Sequence, residues 1–393
     1  MTNYIEKSYG RNEEVEAVLK MFNSGRDIAM PGPRRLGKTF LLDRLVVVLP
    51  QKGWSAVKVE IAGLSDQRAV FRELCIKISD QKSISQKSTT WIQQRLGQAL
   101  APRSDTNGPW YQPFLTLDHE TYFERLIKAM HDDQSSKWAL LIDEIPIFLK
   151  ALHDKGSDGV AAARHFMNLI SRLRASYPRV RWLITGSIGL EPLAQEGQYM
   201  GVLAKFTTFE IEPLTVEQAI AFVRDQALTG ALQHRANITA TEAEALVSAV
   251  GWRAAYYLDA LAQKLAGVPT DDPIEAEQRV TDAIAKLLMP TEAKSFGTWE
   301  EHLHKHYKET DRVIAFAVLA RLAIDVQGAT IDSLLQTVNR SNLSREALKR
   351  ILLRMSVEGF IVCINWEDDT QTVSFRNPLL RGWWQRYPPN TSI

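Results

Sequence analysis

The residues Gly32-Pro33-Arg34-Arg35-Leu36-Gly37-Lys38-Thr39 carry the spacing G-x-x-x-x-G-K-[ST]. Glycines at the first and sixth places let the backbone curl so that successive N–H groups point inward at a β-phosphate. A helix starting at Lys38 would add its partial positive charge. On this reading Gly32, Pro33, Arg34, Arg35, Leu36, Gly37 and Phe40 shape the cradle. Lys38 reaches the β- and γ-phosphates, and the Thr39 hydroxyl ligates Mg²⁺. A second group fits the same chemistry. Asp143 and Glu144 follow an apolar run; Asp143 suits Mg²⁺ through a water, and Glu144 suits the polarising of an attacking water. Thr185-Gly186-Ser187 ends another run, where Ser187 is expected to touch the γ-phosphate or hold that water. Lys205 and Arg253 are the candidate cations for the γ-phosphate, in cis or from a neighbouring subunit. Together these imply binding and hydrolysis of a nucleoside triphosphate. A kinase-like alternative lacks any recognisable acceptor pocket.

These residues need elements to position them. Asp27-Ile28-Ala29-Met30 reads as the end of a buried strand before the loop, and Phe40 to Val46 as the first turns of a helix after it. Trp54 to Ala62 alternates like a second strand. Trp138-Ala139-Leu140-Leu141-Ile142 is apolar throughout, as a central parallel strand buried on both faces requires. Val180 to Ile184 is a fourth strand. Residues 66–132 read as helical around a polar break at 101–109. The fold class is therefore α/β, a parallel sheet with helices on both faces.

Beyond Leu214 the strands stop. Residues 215–289 read as helical, with capping-box spacing at Thr215/Gln218 and at Thr241/Glu244. Residues 310–388 show three helical patterns and then a hairpin, Val362–Trp366 and Gln371–Phe375 around Glu367-Asp368-Asp369-Thr370, the order of a winged helix. Its last helix carries Arg345, Lys349, Arg350 and Arg354 over a stripe of Leu348, Ile351, Leu352 and Met355. That face could meet phosphates, whereas the acidic hairpin tip would repel them. His302 and His306 share a helix face, but no carboxylate or cysteine set completes a metal site, so they read as a solvated helix end. Trp383 and Trp384 are expected to pack the wing onto the helices.

Composition narrows the classes. A chain of 393 residues suggests two or three domains, here 1–214, 215–309 and 310–393. Hydrophobic residues at 45% and charged residues at 24% suit a globular protein, and a net charge of +1 gives no global argument for nucleic acid or membrane. Cys75 and Cys363 match no metal or redox spacing and read as free thiols. No apolar segment reads as a signal peptide or a membrane span, so a cytoplasmic protein without membrane partners is expected.

With these motifs in view, the chain resembles STAND-class P-loop ATPases, the archaeal-type ATPases of the MalT/NACHT-like (MNS) branch. Ser8-Tyr9-Gly10-Arg11-Asn12-Glu13-Glu14 resembles that family's N-terminal box beside adenine and ribose, which makes Arg11 a nucleotide contact. Gly32–Thr39 resembles its phosphate loop, Leu140–Glu144 its Walker B strand, and Ile184–Ser187 its sensor strand. Phe209–Leu214 resembles its strand into the helical lid, and Phe375–Trp384 its closing winged-helix segment. The resemblance implies an ASCE/AAA+-like P-loop core, a helical lid and a C-terminal winged helix. It implies ATP and Mg²⁺ as cofactors, ATP bound between core and lid, and hydrolysis that is slow. It further implies a switch that self-associates in the ATP state or controls a partner protein, in signalling or in defence against mobile elements. The alternative is a DNA-associated ATPase of the origin-initiator or transposition-regulator kind, binding duplex DNA through the winged helix. A third is a nucleotide-bound scaffold that hardly hydrolyses. Two departures stand out: Ala204-Lys205 where relatives carry Gly-Arg, and Gly251-Trp252-Arg253-Ala254 where they carry a proline. No further domain is expected after the winged helix, so any effector would be a separate protein.

Overall fold

The run Trp138–Ile142 is buried at every position, and its side chains divide between two faces as strand geometry demands. Trp138, Leu140 and Ile142 join a large apolar cluster, while the equally buried Ala139 and Leu141 point the other way. A computed structural model describes residues 11–79, 118–225, 237–338, 343–364 and 372–388. By contacts it forms two compact units: Arg11–Pro31 with Lys38–Glu210, and Gly32–Gly37 with the chain from Ile211 onward.

The first unit holds, in chain order, α1 (Asn12–Asn23), β1 (Ile28–Pro31), α2 (Lys38–Val48), β2 (Trp54–Glu60), α3 (Gln67–Ser79), α4 (His119–Asp132), β3 (Lys137–Asp143), α5 (Ile145–His153), α6 (Ser157–Ser176), β4 (Val180–Gly186), α7 (Leu190–Gly197), α8 (Met200–Leu203) and β5 (Thr207–Thr208). All five strands are parallel, in the order β2-β3-β4-β1-β5. The polar break expected at 101–109 lies outside the described residues. The cluster on one sheet face is aromatic, with Phe166 5.6 Å from Phe71 and 5.1 Å from Phe148. Gly159 is what allows α6 to cross α5 closely, since a Cβ there would stand 1.9 Å from the Leu152 carbonyl oxygen. Asp27 closes the lower edge. Buried before β1, it accepts from Arg174 Nε at 2.7 Å and from the Trp182 amide at 2.9 Å. The last strand is shorter than its sequence suggests. It stops at Thr208, and Phe209 to Leu214 continue outside any strand after one more bond, Phe209 N–H to the Ala29 carbonyl.

The second unit contains α9 (Val216–Arg224), α10 (Ala240–Val250), α11 (Ala255–Ala262), α12 (Pro273–Leu287), a 3₁₀ stretch (Pro290–Ser295) and α13 (Gly297–His306). Then come α14 (Glu309–Ile324), β6 (Ala329–Thr330), α15 (Ile331–Val338), α16 (Arg345–Glu358), β7 (Ile361–Ile364), β8 (Thr372–Phe375) and α17 (Pro378–Arg386). The capping box at Thr215/Gln218 forms as expected. The second box does not: α10 starts at Thr239 with Glu242 rather than at Thr241 with Glu244. The stretch Thr239–Glu244 offers both spacings, and tertiary contacts choose between them. Glu242 is fully buried, accepts from the Thr270 amide at 3.0 Å and pairs with Arg279. The helices α14 to α16 are followed by the hairpin, and β6 adds a third antiparallel strand in the order β6-β8-β7. The acidic tip of the hairpin lies outside the described residues. Trp384 is buried between Phe316 of α14 and Phe375 of β8, as expected of a residue packing the hairpin onto the helices, whereas Trp383 stacks on Phe296 at 5.3 Å.

Candidate active site

Strand register brings the site together. Pro31 lies beside Gly186, Ile142 beside Ile184, and Glu60 beside Asp143, so β1, β3 and β4 end level with one another. In open parallel sheets ligands bind outside these carboxyl ends. Here those ends lead into the phosphate loop, the Asp143-Glu144 pair and Gly186-Ser187.

Asp143 is 1% exposed, and both its oxygens are held. Thr39 Oγ1 donates to Oδ2 at 2.8 Å, and Thr185 Oγ1 donates to Oδ1. The Thr185 hydroxyl in turn accepts from the Glu144 amide at 3.2 Å. Thr185 was legible only as part of a sensor turn; in the structure it fixes Asp143. Glu144 sits in the left-handed region, φ 64° and ψ 38°, between β3 and α5. For a residue with a Cβ that conformation costs roughly 1–3 kcal/mol and is characteristic of sites where a side chain must be aimed. Its Oε2 accepts from the Ser187 amide at 3.0 Å and the Ser187 hydroxyl at 2.9 Å. Ser187 therefore grips the glutamate itself. Lys38, the first residue of α2, is 5% exposed. The cluster thus unites Lys38, Thr39, Asp143, Glu144, Thr185 and Ser187 at two strand ends and one helix start.

The phosphate loop turns through positive φ at Gly32, Arg35 and Gly37. Its two arginines are held by side-chain contacts of their own. Arg34 Nη1 donates to the Thr298 carbonyl at 3.1 Å and to His302 Nδ1 at 3.5 Å. Arg35 donates to Tyr257 Oη, to the Ser295 and Lys294 carbonyls and to Thr298 Oγ1, with its guanidinium 4.1 Å from the Tyr256 ring centroid. Pro33 lies against Gly359, where a Cβ would stand 2.5 Å from the proline Cβ. Leu36 is buried, and Phe40 half-buried in the first turn of α2. Arg11 caps the start of α1, is 4% exposed and pairs with Glu14.

Two expectations are corrected. Lys205 precedes β5 at the amino end of the sheet, where its Nζ donates to Ser171 Oγ at 2.9 Å. The cluster lies at the opposite, carboxyl end, so Lys205 does not serve a γ-phosphate in cis. Arg253 donates from Nε to the Leu214 carbonyl at 2.7 Å, a bond that engages one of its five N–H groups and leaves its expected role as a candidate cation open. His302 is not at a solvated helix end. It is buried, donates from Nε2 to Glu358 Oε2 at 2.9 Å, and stacks near His306 with ring centroids 4.7 Å apart. Arginine only donates, so Nδ1 of His302 is the acceptor for Arg34 and Nε2 carries the hydrogen. Glu358 also accepts from Tyr307 Oη at 2.8 Å and Arg354 Nε at 2.9 Å. Burial alone would raise the Glu358 carboxyl, but the His302 hydrogen bond and the Arg354 guanidinium outweigh it and hold its pKa below the ordinary value. Nothing in the sequence pointed to this buried network, because its partners come from α13, α16 and the loop.

Among the described residues no group of three or more His, Cys, Asp or Glu could hold a metal, and no helix is long and apolar enough to cross a membrane. Cys75 is buried, which pushes its thiol well up, and burial lifts Cys363 to about 11.

No protein-family model matches the chain, and no curated protein matches it. Solved structures do. The Walker-type ATPase PABY2304 of Pyrococcus abyssi superposes with a TM-score of 0.62 at 16% identity, covering 96% of this chain and 95% of that one. The Aeropyrum pernix ORC2 protein, in ADPNP–ADP complexes, gives a TM-score of 0.51 at 15% identity, covering 96% and 93%. At such identity the likeness is one of fold: a P-loop NTPase sheet followed by a helical C-terminal portion.

Proposed function

We propose that this chain binds ATP with Mg²⁺, hydrolyses it slowly, and uses the nucleotide as a switch governing self-association or a partner protein. The observation that carries the reading is the Thr39–Asp143 hydrogen bond, with Glu144 held beside it by Ser187. A hydroxyl and a carboxylate so placed are the hard oxygen donors that Mg²⁺ takes alongside phosphate oxygens and its own waters. Mg²⁺ held by Thr39, and by Asp143 through water, would offset the charge of the phosphates. Lys38 binds the β- and γ-phosphates, and the loop amides orient them. Glu144, released from Ser187, accepts a proton from the attacking water. The fold likeness to a Walker-type ATPase and to a protein solved with ADPNP and ADP supports an adenine nucleotide.

The test is a pair of variants. Lys38→Ala abolishes ATP binding, whereas Glu144→Gln binds ATP but turns over at least ~10²-fold more slowly. Normal turnover by the Glu144→Gln protein would sink the assignment.

Duplex DNA is the second reading, favoured by the basic positions Lys349 and Arg350 on α16. Two neighbours from the same basic set are engaged within the chain: Arg345 pairs with Asp332, and Arg354 with Glu358.

A further inference from the structure

The arginines of the phosphate loop have the composition of phosphate ligands but not the freedom. A guanidinium has five N–H groups, four of them on its two terminal nitrogens. In Arg35 those four meet Tyr257 Oη at 3.1 Å, the Ser295 carbonyl, the Lys294 carbonyl at 3.3 Å and Thr298 Oγ1 at 2.6 Å. No fork remains for a phosphate. The acceptors belong to α11, the 3₁₀ stretch and α13, and Trp299 buttresses the first of them by donating from Nε1 to Tyr257 Oη at 2.5 Å. Arg34 adds the Thr298 carbonyl and His302 Nδ1. From His302 the chain of hydrogen bonds continues to Glu358 at the end of α16, and from Glu358 to Arg354 on the same helix.

Two further features belong to the same arrangement. Arg35 is held at φ 67°, a conformation that costs a non-glycine residue and persists where surroundings over-determine it. Gly359, directly after α16, leaves only enough room for Pro33 of the same loop.

We infer that Arg34 and Arg35 are positioning residues: their side chains clamp the phosphate loop onto α13, so that ordering of the loop by nucleotide is passed through His302 and Glu358 to α16. This rests on the loop being the nucleotide site. On that reading the backbone amides would serve the phosphates while the Arg34 and Arg35 side chains hold α13, so one segment would serve both. A ligand that favours one loop geometry then favours the α13 and α16 geometry that fits it, and the coupling is reciprocal.

The experiment separates backbone from side chain. Arg35→Gly keeps the left-handed backbone accessible and removes only the clamp. Arg35→Lys keeps the charge without the fork. Thr298→Val, which deletes one acceptor at nearly constant shape, is the milder version should either lose stability. ATP affinity is measured by calorimetry, and hydrogen exchange is followed over 294–306 and 345–358 with and without ATP·Mg²⁺. In the native protein ATP changes exchange in both segments. In Thr298→Val ATP affinity stays within about tenfold of native while that response weakens, and in the two Arg35 variants the response is lost at saturating ATP. Affinity falling by more than about tenfold in Thr298→Val, or an intact response in the Arg35 variants at saturating ATP, overturns the inference. A native protein that binds ATP without altering exchange in α13 or α16 also overturns it and leaves the nucleotide reading standing. A native protein that binds no ATP removes both.

Discussion

At the scale of single residues, the buried groups around Glu358 set a pH dependence whose sign can be worked out. His306 faces His302 on its own helix, Glu358 and Arg354 on α16, and Arg34 from the loop. Burial, His302, Arg354 and Arg34 lower its pKa from 6.5 to about 4, against the opposing pull of Glu358. The unfolded chain therefore takes up a proton near pH 6.5 that the folded chain refuses until about pH 4. Stability falls as pH drops through that interval. Glu358 acts in the same direction lower down: its folded pKa is depressed, so its contribution is present above the ordinary carboxylate value and lost as pH falls through the folded one. Urea unfolding of the native chain should give a midpoint that declines steadily from pH 7 to pH 4. His306→Gln should flatten the upper part of that decline. A midpoint independent of pH, or one that rises on acidification, would contradict the assignment of this network.

At the scale of elements, the approach of β4 to α5 keeps Glu144 beside Ser187, and it depends on a missing side chain. A Cβ on Gly186 would stand 2.2 Å from Pro146 Cγ, a ring atom that cannot swing aside. Gly186→Ala should cost about 1–3 kcal/mol of stability by overpacking and should depress turnover, because relieving the clash separates Ser187 from Glu144. Gly201→Ala, where nothing lies within 4 Å, is the matched control and should leave both unchanged. Equal behaviour of the two variants in thermal unfolding and ATPase assays would refute the packing argument. The strands that frame this contact were readable in the sequence because period and burial agree in them. Trp138–Ile142 is apolar at every position and Val180–Ile184 at all but Arg181, and the motif residues sit at their ends. Reading failed where tertiary contacts decide between local options. Both Thr239/Glu242 and Thr241/Glu244 have capping spacing, and Arg279 with Thr270 settles the matter for the first. The strand expected through Leu214 has a β-rich composition but pairs with β1 only through Thr207 and Thr208. The burial of His302 was illegible for the same reason, since its partners Arg34 and Glu358 are remote in sequence.

At the scale of the whole molecule, a net charge of +1 leaves association to local surfaces. The sequence offered Arg345, Lys349 and Arg350 as phosphate contacts on α16. Pairing of Arg345 with Asp332 reduces that set to Lys349 and Arg350, half-buried and exposed respectively. Each phosphate neutralised on duplex DNA adds about 0.9 to the salt slope, so this helix alone gives a slope near −2, too shallow for tight binding at physiological salt. That arithmetic favours a switch addressed to protein over a duplex reader, and it specifies the decisive measurement. Glu144→Gln protein, which the proposed mechanism expects to be arrested in the ATP state, is run through size exclusion with light scattering in ADP or in ATP·Mg²⁺, each with and without duplex DNA. Assembly in ATP·Mg²⁺ alone, unchanged by DNA and by salt, is the expected result. Assembly only with DNA, with a salt slope much steeper than about −2 that survives Lys349→Ala together with Arg350→Ala, would overturn it. The DNA contacts would then lie on a surface other than α16, and nucleotide would act by bringing that surface to the duplex.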